Sequence, residues 1–304
     1  MILEVDRKPG KAKTLFYRMG ALGFCKFQRA QLLLDGLSEL STGKRLGNLK
    51  AAASLIEKNL LRMIRIPKKS EQACGNAKKL SDIYSQIIDI YEKQGDFENM
   101  IAFLQKKTYP HLLLAESLER TNRGCSALKE RRELIRAIQR IAELFGLISE
   151  RHRKNDPGFA ISLLDEKSVS HRSAAKELKQ INDLEGAVKE LISAAESHVQ
   201  QIGIRLESNE LFGFKHEYLR IAMAYKDAAE LCLHLARKLE RDEEFANAHR
   251  AYVKTASIFK LQSDFLGKAD AGSNGLHQYA KLGIRAQENM GASLRKAEEM
   301  DGKR

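Results

Sequence analysis

Only four prolines interrupt this chain of 304 residues, at Pro9, Pro67, Pro110 and Pro157, and none follows the last of them. Proline lacks a backbone N–H and its ring clashes with the preceding helical turn, so it restricts where a helix can run. The long stretches between and after these positions are therefore free to be helical. Apolar residues in them recur at spacings of three and four, which places them on one face of a helix. No segment shows sustained period-two alternation bounded by hairpin signals, so no sheet is expected.

The periodicity predicts a succession of helices. The first covers about Lys13 to Leu40, weakened by Gly20 and Gly23, and turns at Ser41-Thr42-Gly43. In the second, Leu46, Leu49, Ala53, Ile56, Leu60 and Met63 form one stripe, with an end expected near Ile66 because Pro67 restricts the residue before it. Ser70 suits the cap of the third, whose stripe is Ala73, Ala77, Leu80, Tyr84, Ile87 and Tyr91. Gly95-Asp96 ends it. Two short helices should follow, one from Phe97 through Leu104 and one from His111 to Glu119, separated at Tyr109-Pro110. After Asn122-Arg123-Gly124 a long helix carries Leu128, Ile135, Ile138, Ala142, Phe145 and Ile148, with Arg131 its one polar interruption. Asn155-Asp156-Pro157-Gly158 is the strongest turn signal. A short helix should run from it to about Asp165. Residues 171–208 read as helix, with a split at Asn182-Asp183 left open and a stripe of Leu178, Ile181, Val188, Leu191, Ala195, Val199, Ile202 and Leu206. Phe214 to Leu239, Phe245 to Phe259 and Leu276 to Glu299 complete the set.

Composition agrees with a folded chain. Apolar residues make up 43% and charged residues 30%, and no run reaches the roughly 18–20 apolar residues needed to span a bilayer. The most apolar stretch, Thr14 to Leu34, contains Arg18, Lys26 and Arg29. Glu4 and Asp6 precede any apolar run, which argues against a secretory signal. Cys25, Cys74, Cys125 and Cys232 lie far apart and form no CxxC pair, so each is read as a small buried apolar residue in a reducing compartment. A cytoplasmic location is the expectation.

Two hairpins resemble tetratricopeptide (TPR) repeats. In the first, Tyr84, Ile87 and Tyr91 precede the turn Gly95-Asp96-Phe97, with Met100 where a small residue is usual and Leu104 in place of an aromatic. In the second, Cys232, Leu235 and Ala236 precede the turn, and Phe245, Ala248 and Tyr252 follow it. Phe159-Ala160-Ile161 is a third echo. The stretch from Tyr225 to Asp264 is also similar to the helix pairs of the soluble NSF attachment protein (SNAP) family. A regular 34-residue period is missing. The resemblance implies antiparallel helix hairpins stacked as an α-solenoid that binds other proteins, with a closed helical bundle as the alternative architecture.

No local motif for chemistry emerges. None of the eight histidines completes HExxH or stands three residues after a glutamate. Glu230 and His234 share a helix face, but one such pair cannot complete a metal site. Gly43-Lys44 is followed by Arg45 where a phosphate loop needs Ser or Thr, and no strand precedes it. Neither GxGxxG nor GxSxG occurs. The expectation is a protein that is not an enzyme and uses no cofactor, metal or small-molecule substrate.

Charge is the most specific feature left. Residues 1–80 hold 17 Lys and Arg against 6 Asp and Glu, a surplus of 11 out of a net charge of +12 for the whole chain. Lys58, Arg62, Arg65 and Lys69 follow one another at spacings of four, three and four. Each sits two residues after a member of the series Ile56, Leu60, Met63 and Pro67, or about 200° around the helix. The apolar stripe should be buried and the basic stripe exposed, with Lys68, Lys78 and Lys79 close by in sequence. Such a surface attracts polyanions. An acidic protein or peptide comes first as partner, nucleic-acid phosphates second, and an anionic membrane surface after them. No aromatic interleaves the stripe, which counts against single-strand stacking. The expected organisation is a basic helical segment, 1–80, packed on a TPR-like helical region, 81–304, in one continuous domain.

Overall fold

The computed structural model describes residues 40–63, 70–208, 214–271 and 279–303, together with residues 30, 33, 34 and 37. The helix expected over Lys13 to Leu40 lies almost wholly outside the described residues. Nine α-helices are present among them: α1 (Thr42–Met63), α2 (Ser70–Gln94), α3 (Phe97–Arg120), α4 (Gly124–His152), α5 (Pro157–Gln180), α6 (Leu184–Glu207), α7 (Phe214–Arg241), α8 (Phe245–Ala271) and α9 (Ala280–Asp301). No strand occurs among the described residues. The chain divides into two compact units, residues up to 137 and residues 138–304. In the first, α1 packs on α2 and α2 on α3, while α1 touches α3 only lightly. In the second, α5 packs on α6, α6 on α7, α7 on α8 and α8 on α9. Packing of each helix on its neighbours in sequence is the stacking rule of an all-α helical solenoid.

Four of the reversals share one backbone geometry. A residue with positive φ follows the helix: Gly95 at 69°, Asn122 at 56°, Asn182 at 61° and Glu243 at 61°. Its N–H donates to the carbonyl three residues back (Glu92, Glu119, Lys179, Glu240), and the next N–H donates to the carbonyl five back (Tyr91, Leu118, Leu178, Leu239). This Schellman pair satisfies carbonyls that a helix end otherwise leaves without donors. The residue after the positive φ then starts the next helix: its own carbonyl accepts from Met100, Ala127, Ala187 or Ala248. Asp96 and Asp183 add a side-chain cap, accepting from the N–H of Asn99 at 3.1 Å and of Gly186 at 2.8 Å.

Buried alanines recur at one spacing across three of the turns. Ala115 and Ala127, Ala175 and Ala187, and Ala236 and Ala248 are each buried, and each pair is twelve residues apart across its turn. Side chains this small admit close helix approach, and the larger residues beside them fill the seam. In the second unit, Ala236, Ala248, Ala251, Tyr252, Ala297 and Met300 form one cluster joining α7, α8 and α9.

The recurrences expose a repeat that the 34-residue template hides. Ten of the thirty residues from 101 to 130 reappear unchanged 60 positions later, among them His111 and His171, Asn122 and Asn182, and Glu130 and Glu190. The structure uses them alike: His111 Nδ1 lies 2.6 Å from Glu130 Oε2, and His171 Nδ1 lies 2.7 Å from Glu190 Oε2. The turn at Glu243 follows Asn182 by 61 residues. The repeat is a TPR-like hairpin with helices of 22–29 residues, so its period is nearly double that of a TPR.

Several sequence expectations need correction. The two short helices around Tyr109-Pro110 are one helix, with Pro110 inside it. Proline there costs about 3 kcal/mol, offset by buried residues on both sides of it, from Met100 to Leu104 and from His111 to Leu118. The gap expected between Asp165 and residue 171 is also helix. There the hydroxyls of Ser170 and Ser173 donate to carbonyls four residues back within the same helix. The split at Asn182-Asp183 is real. Val199 and Leu206 are exposed rather than buried, and His198 and Gln201 take inward positions on α6. Of the cysteines described, Cys232 is buried, Cys74 intermediate and Cys125 exposed.

Two stability measurements check this account. Glutamate pays a steric penalty at positive φ that glycine does not. Glu243→Gly is therefore expected to stabilise the protein and Gly95→Ala to destabilise it, each by about 1 kcal/mol, read from chemical denaturation. At Gly186 a Cβ would stand 2.6 Å from Asp183 Oδ2, so Gly186→Ala must displace the capping carboxylate. It is expected to lose the gain of up to ~1 kcal/mol that alanine brings to a helix interior. Gly75→Ala, with nothing within 4 Å of its Cβ, should keep that gain.

Candidate functional site

The basic stripe begins with the burial of α1. Leu49, Ala52, Ala53, Ile56, Asn59 and Leu60 face inward, and the opposite side carries Lys58 and Arg62, both exposed. Lys78 and Lys79 on α2 are exposed as well. Arg65, Lys68 and Lys69 lie outside the described residues.

The antiparallel register of α1 on α2 relates these groups. Met63 Sδ accepts from Asn76 Nδ2 at 3.2 Å, Glu57 Oε2 accepts from Tyr84 Oη at 3.3 Å, and Lys50 Nζ lies 5.3 Å from the Tyr91 ring centroid. Extending this register sets Arg62 level with Lys78, at the same end of the hairpin. Glu57, the acidic residue nearest Lys58 in sequence, is turned toward Tyr84. Burial, and then the charge of Glu57, push the Tyr84 phenol well above its ordinary value. Lys50 also lies 5.5 Å from the Phe103 ring centroid, and Lys106 approaches that ring from 4.8 Å. These cation–aromatic contacts hold α1, α2 and α3 together at the seam.

Arg131, the polar interruption noted in the sequence, is buried. Its Nε donates to Glu119 Oε1 at 2.6 Å and its Nη2 to Glu119 Oε2 at 2.9 Å. The two-pronged bond satisfies a guanidinium that burial would otherwise penalise. Glu240 does the same work in the last turn, accepting from the Tyr252 hydroxyl at 2.6 Å. Both acids hold the same position relative to the positive-φ residue.

A buried polar network on α5 and α6 was invisible to periodicity. Ser168 Oγ lies 3.0 Å from His198 Nε2, and His198 Nδ1 lies 3.2 Å from Gln201 Oε1. Gln201 Nε2 donates to Asp165 Oδ1 at 2.8 Å and to the Ile161 carbonyl at 3.3 Å. Gln201 Oε1 is thus the acceptor for Nδ1–H, and the single proton of the Ser168 hydroxyl is shared between His198 Nε2 and the Ala194 carbonyl, 3.2 Å away. The order hydroxyl, imidazole, acceptor is that of an activated serine. Ser168, however, is 2% exposed and His198 6%, and no residue of the network lines the adjoining groove. Burial also holds the His198 imidazole below its ordinary value. The network ties α5 to α6.

Two grooves open in the second unit. One, of about 560 Å³, lies among α6, α7 and α8 and is lined by Val188, Cys232, Leu235 and Lys254. The other, of about 550 Å³, lies among α4, α5 and α6. No group of three or more metal-ligating side chains occurs among the described residues, and no helix among them is long and apolar enough to cross a membrane.

No family model and no curated protein sequence matches the chain. Among solved structures, a circular tandem repeat protein with novel repeat topology is similar over 93% of this chain and 60% of its own, at 14% identity and a TM-score of 0.41. A de novo designed helical repeat protein, DHR64, is similar over 86% of this chain and 100% of its own, at 16% identity and a TM-score of 0.28. The TPR2AB domain of yeast Sti1, in a complex with pHSP90, is similar over 90% and 99%, at 13% identity and a TM-score of 0.20. All three scores lie below 0.5, so the description of this chain as a TPR-like helical repeat rests on its own turns and packing.

The Glu119–Arg131 bond makes stability depend on pH. Hydrogen bonding to Arg131 holds the Glu119 carboxyl below the usual carboxylate range. A folded-state value below the unfolded one gives stability that is present at neutral pH and lost as pH falls through the folded value. Glu119→Gln is expected to lower stability at pH 7 by about 1 kcal/mol, discounted for the exposure of the carboxylate. The gap between variant and parent should close as the solution is acidified below pH ~4, which denaturation midpoints across that range would read.

Proposed function

We propose that this protein is a non-enzymatic interaction scaffold, a TPR-like helical array whose basic N-terminal surface engages an acidic protein or peptide partner. The observation that carries the reading is the exposure of Lys58, Arg62, Lys78 and Lys79 on two packed helices, with Glu57 turned away to Tyr84. Arg65, Lys68 and Lys69 belong to the proposed site by their place in the sequence. A stacked array suits this work because each hairpin is held by its neighbours, and exposed faces then carry side chains that stability does not require. The scattered cysteines suit a reducing compartment, and we place the protein in the cytoplasm on that ground.

Reversal of charge tests the reading. Protein carrying Lys58→Glu, Arg62→Glu, Arg65→Glu and Lys69→Glu is expected to lose acidic partners that the parent retains in a pull-down, with its helical circular dichroism unchanged. An identical set of partners would remove the basic surface from the account. Added salt should weaken the parent interaction, because exposed charges are screened within about 8 Å at physiological ionic strength.

A further inference from the structure

In the groove among α4, α5 and α6, one of the three cations in the lining has no ion pair among the described residues. Arg140 on its rim pairs with Glu143 at 2.9 Å, and Arg153 pairs with Glu150 at 3.3 Å and with Glu207. Lys167 is half-buried, and its Nζ donates to the neutral side-chain carbonyl of Gln200 at 3.3 Å. Among the described residues, no carboxylate lies within ion-pair distance of it. Burial holds the Lys167 ammonium below the ordinary lysine value, and Glu196, acting through space, offsets that only in part.

A Cβ on Gly146 of α4 would stand 3.3 Å from Lys167 Nζ, so the lysine side chain lies directly against α4. The repeat places a lysine at the equivalent position in the first unit. Lys107 precedes Lys167 by 60 residues, and its Nζ donates to Ser85 Oγ on α2 at 3.1 Å. A lysine lodged against the preceding helix is thus a feature of the hairpin, and Lys167 lines the groove. Apolar surface lies beside it: Leu164 and Ile204 are in the lining, and Leu147, also in it, is 51% exposed.

We propose that this groove binds the side-chain carboxylate of a single internal Asp or Glu, flanked by an apolar residue, in a segment of a partner protein. A carboxylate in the groove adds a direct contact to Lys167, on which Glu196 acts only through space, and a charge-assisted bond at a half-buried site is stronger than one at an open surface. Arg140 and Arg153 on the rim already hold carboxylates of this chain, so Lys167 is the cation left for a partner, and one carboxylate suffices. The groove is open rather than enclosed, so the partner chain can enter and leave it. The apolar neighbour would cover Leu147. This inference rests on the reading of the chain as an interaction scaffold, but it uses residues other than those of the basic N-terminal helices.

The test uses the full chain with 13C at the lysine ε positions, the Lys167 signal being the one absent from the Lys167→Arg variant. Three probes are titrated: the blocked peptide acetyl-Ala-Leu-Glu-Leu-Ala-amide, its Gln counterpart, and the Gln peptide with a free C-terminus. The Glu peptide is expected to shift the Lys167 signal, and the Gln peptide to bind about tenfold more weakly. Tryptophan-free protein allows a fluorescent form of the same peptide to report affinity, which should fall by that factor in Lys167→Gln and persist in Lys167→Arg. A stationary Lys167 signal, equal shifts with the neutral blocked peptide, or a response to the free C-terminus alone would each overturn the proposal. Lys58→Glu/Arg62→Glu protein is expected to bind the Glu peptide unchanged, whereas loss of binding there would assign it to the basic surface instead and overturn the groove.

Discussion

A helix that doubles back on its neighbour must dispose of its last carbonyls within two or three residues. This chain does so by placing one residue in the left-handed region and closing bonds over three and five residues, at Gly95, Asn122, Asn182 and Glu243. That geometry fixes where the next helix starts. It therefore fixes which residue of one arm meets which residue of the other. The alanine pairs, the Glu119–Arg131 bond and the Glu240–Tyr252 bond all depend on it, because each joins residues twelve apart across such a turn. Change the turn, and every one of these contacts falls out of register.

Much of this was legible in the residues. The stripes of α1 and α2 are apolar, uninterrupted and correctly phased, and Gly95 and Asn182 mark turns by their tolerance of positive φ. Other features were hidden for physical reasons. Pro110 reads as a break, but burial on both sides of it carries the helix through. His198 and Gln201 look like surface residues until their hydrogen bonds to Ser168 and Asp165 are seen. Their inward turn leaves Val199 and Leu206 outside. Glu243 carries no signal for a left-handed residue at all. The 60-residue period was present in the sequence as ten identities, but a 34-residue template passes over it.

The functional reading draws on charge in two different states. Lys58 and Arg62 are solvated, and their value lies in steering and selecting a partner of opposite sign. Lys167 is partly desolvated and bonded to a neutral amide, and an anion is what we propose it binds. The first was visible as a spacing of basic residues on one helix. The second appears only when α4, α5 and α6 are assembled, although its repeat partner Lys107 was a clue in the sequence.

The central claim is that a left-handed residue closes successive long hairpins, including at positions where the residue type does not demand it. Backbone chemical shifts of Asn122, Asn182 and Glu243 in the labelled full chain test this most directly. The account expects left-handed values at all three, each flanked on its N-terminal side by helical ones. Helical or extended values at Glu243 and Asn182 would mean that the arms meet in another register, and would contradict it.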